Sequence, residues 1–302
     1  MPNRVLLAAS RSKRLENLIV STKFTRSVAN RFVAGETLEQ ALAAARTLRS
    51  RGMESILDYL GENVTDTDEA DLAAAHYLRS LFAIASRGMD CHISVKLTQV
   101  GLDISFEDTL DRMKQICAKA QDMGTIVAID MESREYTDRT IETYRRLRAN
   151  FDNVVLCLQA YLKRTAGDVR DLLPMKPAIR ICKGAYDEPS DVAFDRSATM
   201  ESFKEIMSVL LETCPYTAIA THDQSLIDEA KRLARERQIP PNRFEFQMLY
   251  GVRRELQRKL ILQGHRLRIY LPFGNQWYPY LMRRLAERPA NLKFFLEAVL
   301  RS

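Results

Sequence analysis

No apolar run in the 302 residues approaches the ~18 residues that a membrane-spanning helix needs. The opening stretch, MPNRVLLAASRSKRLENLIV, has too short an apolar core for a secretory leader. Cysteine is sparse: Cys91, Cys117, Cys157, Cys182 and Cys214 lie far apart, are odd in number and form no CxxC. That excludes a disulfide framework and reads as buried free thiols in a reducing compartment. The four histidines, His76, His92, His222 and His265, show no metal-ligand spacing, so no metal site is expected. An excess of one charge is also missing. The 45 basic residues face 39 acidic ones and interleave with them, leaving a net charge of +6. This argues against nucleic acid as a partner, and no polybasic cluster marks a lipid surface. A cytoplasmic protein with at most peripheral membrane contact is expected.

Hydrophobic residues make up 46% of the chain and charged residues 28%, enough for a sizeable core and too patterned for disorder. Residues 1 to about 50 read as helices. TLEQALAAARTLRSRG has helical periodicity, with Gly52 as its stop. From there β-rich runs alternate with amphipathic helices. The runs are 54–61, 91–101, 125–132, 153–162, 178–188, 216–223, 243–251 and 265–274. Eight such runs, each followed by a helix, are the count of a (β/α)8 barrel of the TIM type. A doubly wound open sheet is the alternative, but the GxGxxG turn that usually marks one is absent. No linker divides the region, no low-complexity segment appears, and nothing repeats beyond the alternation itself. The expected organisation is an N-terminal helical segment, 1–52, joined to a barrel, 53–302, in one compact unit.

Barrel chemistry gathers at the C-terminal ends of the strands. There the sequence places Lys96 on the second strand, Asp130 on the third and Gln159 on the fourth. The fifth carries Arg180 and Lys183, followed by Gly184, Ala185 and Tyr186. Thr221 and His222 close the sixth, Gln247 lies on the seventh and Tyr270 on the eighth. Each has a plain structural reading. Asp130 could cap the next helix, Gln159 could bond inside the barrel, Arg180 could be an ion-pair partner and Tyr270 could be core. Together, two cations and an acid on neighbouring strands would perturb one another's ionisation.

After the eighth strand comes YPYLMRRLAE, in which Tyr280, Arg283, Arg284 and Glu287 share one helix face at i, i+3, i+4 and i+7. Adjacent guanidinium forks suit a carboxylate or a phosphate, and Glu287 could hold Arg283 in place. The loops after strands seven and eight, LYGVRRE and PFGNQW, have one glycine each. That is poor for a phosphate cradle and favours a carboxylate. Two other readings stay open on these residues: a Schiff-base aldolase using Lys96, and an anion-binding scaffold without catalysis.

ISVKL, RICKGAYD, ATHD, FQMLYG and YLMRRLAE, in this order and spacing, resemble the barrel of proline dehydrogenase. The similarity runs from RFVAGET at residue 31 to the C-terminus. The chain is too short for the bifunctional relatives with an aldehyde dehydrogenase domain, so it resembles the monofunctional bacterial form. The resemblance implies FAD in the barrel mouth and oxidation of L-proline to Δ1-pyrroline-5-carboxylate, the first step from proline to glutamate. A hydride would pass from proline C5 to flavin N5, and electrons would leave to a membrane quinone. It implies that Arg283 and Arg284 grip the substrate carboxylate, with Lys96 beside it and Glu287 pairing the arginines. Tyr270 and Tyr280 would wall the pocket, and Asp130 would organise Lys96. Arg180 would sit by the flavin N5 region, with Met131 and Gln159 on the isoalloxazine. Lys183, Gly184, Ala185 and Tyr186 would approach the cofactor. Thr221 and His222 would meet its adenine dinucleotide portion, and Gln247 and Leu249 would line the flavin side. Tyr270 would crowd a 4-hydroxyl group and so favour proline over hydroxyproline. One departure stands out: Asp187 replaces the aromatic that ends the family's GAYW.

Overall fold

A computed structural model describes residue 29 and residues 31–287, with side chains in the last helix described as far as Met282. Helix α1 (Leu38–Arg49) opens on a capping box, in which the Thr37 side chain accepts from the Gln40 N–H and Gln40 reaches back. Its end is where the sequence puts it. Gly52, at φ 77°, donates to the Arg49 carbonyl while the Met53 N–H reaches the Leu48 carbonyl. This pair of bonds needs a left-handed residue, and glycine takes that conformation without strain.

Eight strands follow: β1 (Glu54–Tyr59), β2 (Cys91–Val95), β3 (Val127–Ile129), β4 (Val154–Gln159), β5 (Ala178–Cys182), β6 (Tyr216–Ala220), β7 (Phe244–Leu249) and β8 (Leu267–Phe273). Each is followed by a helix: α2 (Thr67–Ala85), α3 (Phe106–Asp122), α4 (Thr137–Arg148), α5 (Thr165–Leu172), α6 (Arg196–Thr213), α7 (Gln224–Glu236), α8 (Arg254–Leu262) and α9 (Trp277–Glu287). All pairings are parallel, and β8 pairs with β1 to close the barrel in sequence order. The expected (β/α)8 architecture is the observed one. The expected strands run too long at their C-terminal ends. After Val95 the chain turns, with the Leu102 N–H bonded back to the Leu97 carbonyl, yet Leu97, Val100 and Leu102 remain buried. Apolar composition records burial, and the loops of the mouth are buried too.

Alternation along the strands divides the apolar residues into two sets. Leu57, Ile93, Val127, Ile179 and Phe246 belong to the large core between strands and helices. Ile56, Ala128, Val155 and Ala178 form a small separate cluster, with Tyr216 and Tyr270 against it. Above that plug the inward positions turn polar. The segment ahead of α1 is tied to the mouth: the Ala34 N–H donates to the Pro272 carbonyl at 2.7 Å, and the Gly274 N–H donates to the Gly35 carbonyl at 3.0 Å. Helix α9 packs Trp277, Tyr278, Tyr280 and Leu281 with Ala29, Phe32, Val33 and Leu60.

Candidate active site

The barrel's closure brings donors from three other strands to one carboxylate. Asp130, just past β3, accepts on Oδ1 from Ser94 Oγ at 2.6 Å and on Oδ2 from Tyr270 Oη at 2.7 Å. The Arg180 guanidinium is bonded to the same Oδ1, and Lys96 Nζ lies 3.2 Å from Oδ2. Lys96 also donates to Asp58 Oδ1 at 2.6 Å. Arg180 Cζ stands 5.5 Å from the centroid of the Tyr270 ring, a cation–π contact. Two acids and two cations therefore balance in a polar layer drawn from β1, β2, β3, β5 and β8. Asp130 is not the helix cap that its position also allowed; it is the centre of the layer.

Burial sets the electrostatics. It would raise the Asp130 carboxyl, but the Lys96 and Arg180 charges and the hydrogen bonds from Ser94 and Tyr270 outweigh it and hold the group well below the usual carboxylate range. Burial would lower the Lys96 ammonium, but the charges of Asp58 and Asp130 keep it well above the usual lysine range. Burial pushes Asp58 up, aided by Asp130 and opposed by Lys96. Burial likewise raises the Tyr270 phenol, so it remains a proton donor to Asp130. An ammonium has three N–H donors. Two of those on Lys96 face Asp58 and Asp130, and the third has no partner among the described residues.

The other expected residues are placed as follows. Gln159 is committed within the protein: Nε2 donates to the Glu132 carbonyl at 2.8 Å, and Oε1 accepts from the Ala185 N–H at 3.3 Å. Lys183 Nζ pairs with Asp223 Oδ2 at 3.0 Å. Gly184 has φ 119°, and the space a Cβ would take is filled by the Tyr161 ring. The glycine is thus required by this internal contact, besides any ligand. Thr221 Oγ1 accepts from the Asp223 N–H, and His222 Nε2 accepts from the Leu249 N–H at 2.9 Å. Tyr186 lies in the loop after β5 and Met131 is buried in the large apolar core. Gln247 Nε2 donates to Glu245 Oε1 at 2.9 Å, while its Oε1 is buried without a partner among the described residues. Tyr280 is 6% exposed and belongs to the apolar cluster under α9. The backbone of α9 carries Arg283, Arg284 and Glu287, whose side chains lie outside the described residues.

Asp58, Ser94, Glu132 and Tyr161 are absent from the sequence expectations. Asp58 had a signal. It alternates with Ile56 on β1, one of the inward-facing set, so a strand-end reading begun at the first strand rather than the second would have found it. Ser94 alternates with Lys96 in the same way. Tyr161 has no signal of this kind, because its role depends on the path of the loop after β5.

A closed parallel barrel with an acid–base cluster at its C-terminal mouth defines a (β/α)8 enzyme. The fold is that of proline utilization A from Bdellovibrio bacteriovorus inactivated by N-propargylglycine, with a TM-score of 0.82 at 23% identity over 86% of this chain and 32% of that one. A family model for proline dehydrogenase matches residues 41–297. Proline dehydrogenase 1 of Bacillus subtilis (strain 168) is 40% identical over 307 aligned positions, covering 100% of both chains. Proline dehydrogenase of Deinococcus radiodurans is 38% identical over 281, covering 91% of both. The chain belongs to the proline dehydrogenase family and is an oxidoreductase. That family is generally flavin-dependent. Among the described residues no helix is long and apolar enough to cross a membrane.

Proposed function

We propose that the mouth binds L-proline beside FAD and oxidises it to Δ1-pyrroline-5-carboxylate, with electrons passing on to a quinone-type acceptor through peripheral contact with a membrane. The observation that carries this reading is Asp130, buried at the catalytic end between Lys96, Arg180, Ser94 and Tyr270. The residues present suit a flavin. Among the described residues the buried Gln247 Oε1 has no donor, and a flavin ring N–H would suit it. Arg180 puts a fixed positive charge on the interior, where a reduced flavin gathers negative charge. Arg180, Met131, Gln159, Lys183, Gly184, Ala185, Tyr186, Thr221, His222, Gln247 and Leu249 would hold the cofactor. When bound there, FAD would supply the two-electron acceptor for the hydride lost from proline C5.

The chain's own residues do the rest. Arg283 and Arg284 clamp the proline carboxylate and, with the third N–H of Lys96, orient the ring so that its far carbon meets the cofactor. Glu287 holds the clamp, and Tyr280 and Tyr270 bound the pocket. The same cations disfavour a protonated ring nitrogen, and hydride loss needs that nitrogen neutral. Asp130 keeps Lys96 and Arg180 charged and fixed, so neither reorganises as charge moves. The decisive test is colour. Purified protein should absorb near ~450 nm and bleach when proline is added without air. A colourless protein trapped on Lys96 by borohydride with a keto acid would replace this reading with a Schiff-base mechanism. An apparent pKa of flavin reduction no lower than that of free proline would remove the role given to the cations on the amine.

A further inference from the structure

Outside the ionic cluster, hydrogen bonds run from loop to loop around the mouth. The Ala185 N–H donates to Gln159 Oε1, and Gln159 Nε2 donates to the Glu132 carbonyl. The Glu132 carboxylate then takes both donors of Thr98, the backbone N–H on Oε1 at 3.1 Å and the hydroxyl on Oε2 at 2.6 Å. Thr98 accepts in turn from the loop after β1: the Asn63 N–H reaches its Oγ1 at 2.9 Å and the Val64 N–H its carbonyl at 3.1 Å. The relay joins the loops after β1, β2 and β3 to the end of β4 and the loop after β5. Its one charged joint is Glu132, which is 3% exposed.

Thr98 lies two residues beyond Lys96, and Glu132 two beyond Asp130. The carboxylate thus fastens together the strand ends that carry the central ion pair. We propose that Glu132 is a positioning residue. By clasping Thr98 it sets the β1–α2 loop and Lys96 for the substrate, while its carbonyl is held from the cofactor side through Gln159. The expected kinetic effect rests on the proline-oxidising reading; the clasp itself does not.

The groups facing Glu132 are Lys96 beyond β2, Glu62 in the loop after β1 and Tyr136 in the turn before α4. Asp130 precedes it by two residues on its own segment. Burial pushes the Glu132 carboxyl up to about 7, against the Thr98 hydrogen bonds and the Lys96 charge. Above that pH the carboxylate accepts both donors. Below it the neutral acid offers one good acceptor and a competing O–H. Glu132→Gln keeps the shape and stays neutral at every pH.

With flavin-loaded protein and an artificial dye acceptor, the variant-to-wild-type ratio of proline KM should be about 1 at about pH 6. It should rise to roughly three- to ten-fold at about pH 8.5, with kcat changed by less than about two-fold. A ratio independent of pH, or a loss confined to kcat, overturns the positioning role. The clasp is read separately by hydrogen exchange of the Asn63 and Val64 amides in the full chain. Thr98→Val and, at the higher pH, Glu132→Gln should both speed it. Unchanged exchange in both variants overturns the clasp whatever the kinetics show. If wild type holds flavin but does not turn over proline while exchange responds as expected, the functional reading falls and the clasp stands.

Discussion

At the lower end of the barrel Arg268, 1% exposed, donates from Nε to Glu245 Oε1 at 2.8 Å and from Nη1 to the Ser55 carbonyl at 3.0 Å. Its remaining contacts are Asp90 at 3.2 Å and Glu54. At the upper end Asp130 sits among Lys96, Arg180, Ser94 and Tyr270. Both networks are buried and ionic, but their centres are opposite in sign. Below, a cation is surrounded by acceptors, and four of its five N–H donors go to three carboxylates and a carbonyl. Above, an anion is surrounded by donors, and one Lys96 N–H has no partner among the described residues. A buried charge that is answered within the protein closes a barrel; one whose partners retain hydrogen-bonding capacity can receive a ligand.

This contrast is open to direct attack. The largest effect is expected below. Arg268→Met removes the nearer of two counter-charges from Glu245, which is 0% exposed, and leaves only Arg266 at 3.5 Å; it should cost about 3 kcal/mol of stability. A urea titration reads this directly. Turnover per bound flavin in the protein that remains folded should not change. A stable variant with poor turnover would mean that the lower network is not merely structural.

Asp130→Asn comes next and should behave the other way. Without its negative charge, Lys96 and Arg180 lose their shared anchor, and kcat/KM should fall by roughly 100-fold or more, with a smaller stability loss than at Arg268. Acid titration adds a check of sign. The folded Asp130 carboxyl lies below its ordinary value of 3.8. Its stabilisation is therefore full above that value and is lost as pH falls through the lower folded value. The Tm gap between wild type and variant should be constant near neutrality and shrink in acid. A gap that widens in acid would reverse the assignment.

Arg283→Lys and Arg284→Lys test the clamp that the upper network leaves room for. A point charge cannot replace a fork, so each should raise proline KM by about tenfold while flavin stays bound. Loss of flavin instead would place the arginines on the cofactor.

How much of this was legible beforehand differs between fold and site. The βα alternation is carried by composition over whole segments, so eight strands could be read although their ends could not. Lys96, Asp130, Arg180 and Tyr270 were legible because a polar residue inside an apolar strand at the catalytic end of a barrel has few other reasons to be there. The partners of Gln159 and the packing of Gly184 on Tyr161 were not. Those contacts join loops distant in sequence, and no local pattern encodes which loop a side chain will meet. Glu132 was missed for the same reason. It follows Asp130 and Met131 where the strand pattern ends, and only the position of Thr98 gives it a role.

The smallest change proposed is Tyr270→Phe. It removes one hydrogen bond to Asp130 Oδ2 and leaves the ring beneath Arg180. Asp130 keeps Ser94, Arg180 and Lys96, so the loss should be about 1 kcal/mol, or roughly five-fold in kcat/KM. If the ring rather than the hydroxyl sets the shape of the pocket, Phe should still prefer proline to 4-hydroxyproline, whereas Tyr270→Ser should narrow that preference. Measuring both substrates on both variants separates the two parts of the side chain. A preference abolished by Phe alone would show that the hydroxyl, through Asp130, does the discriminating.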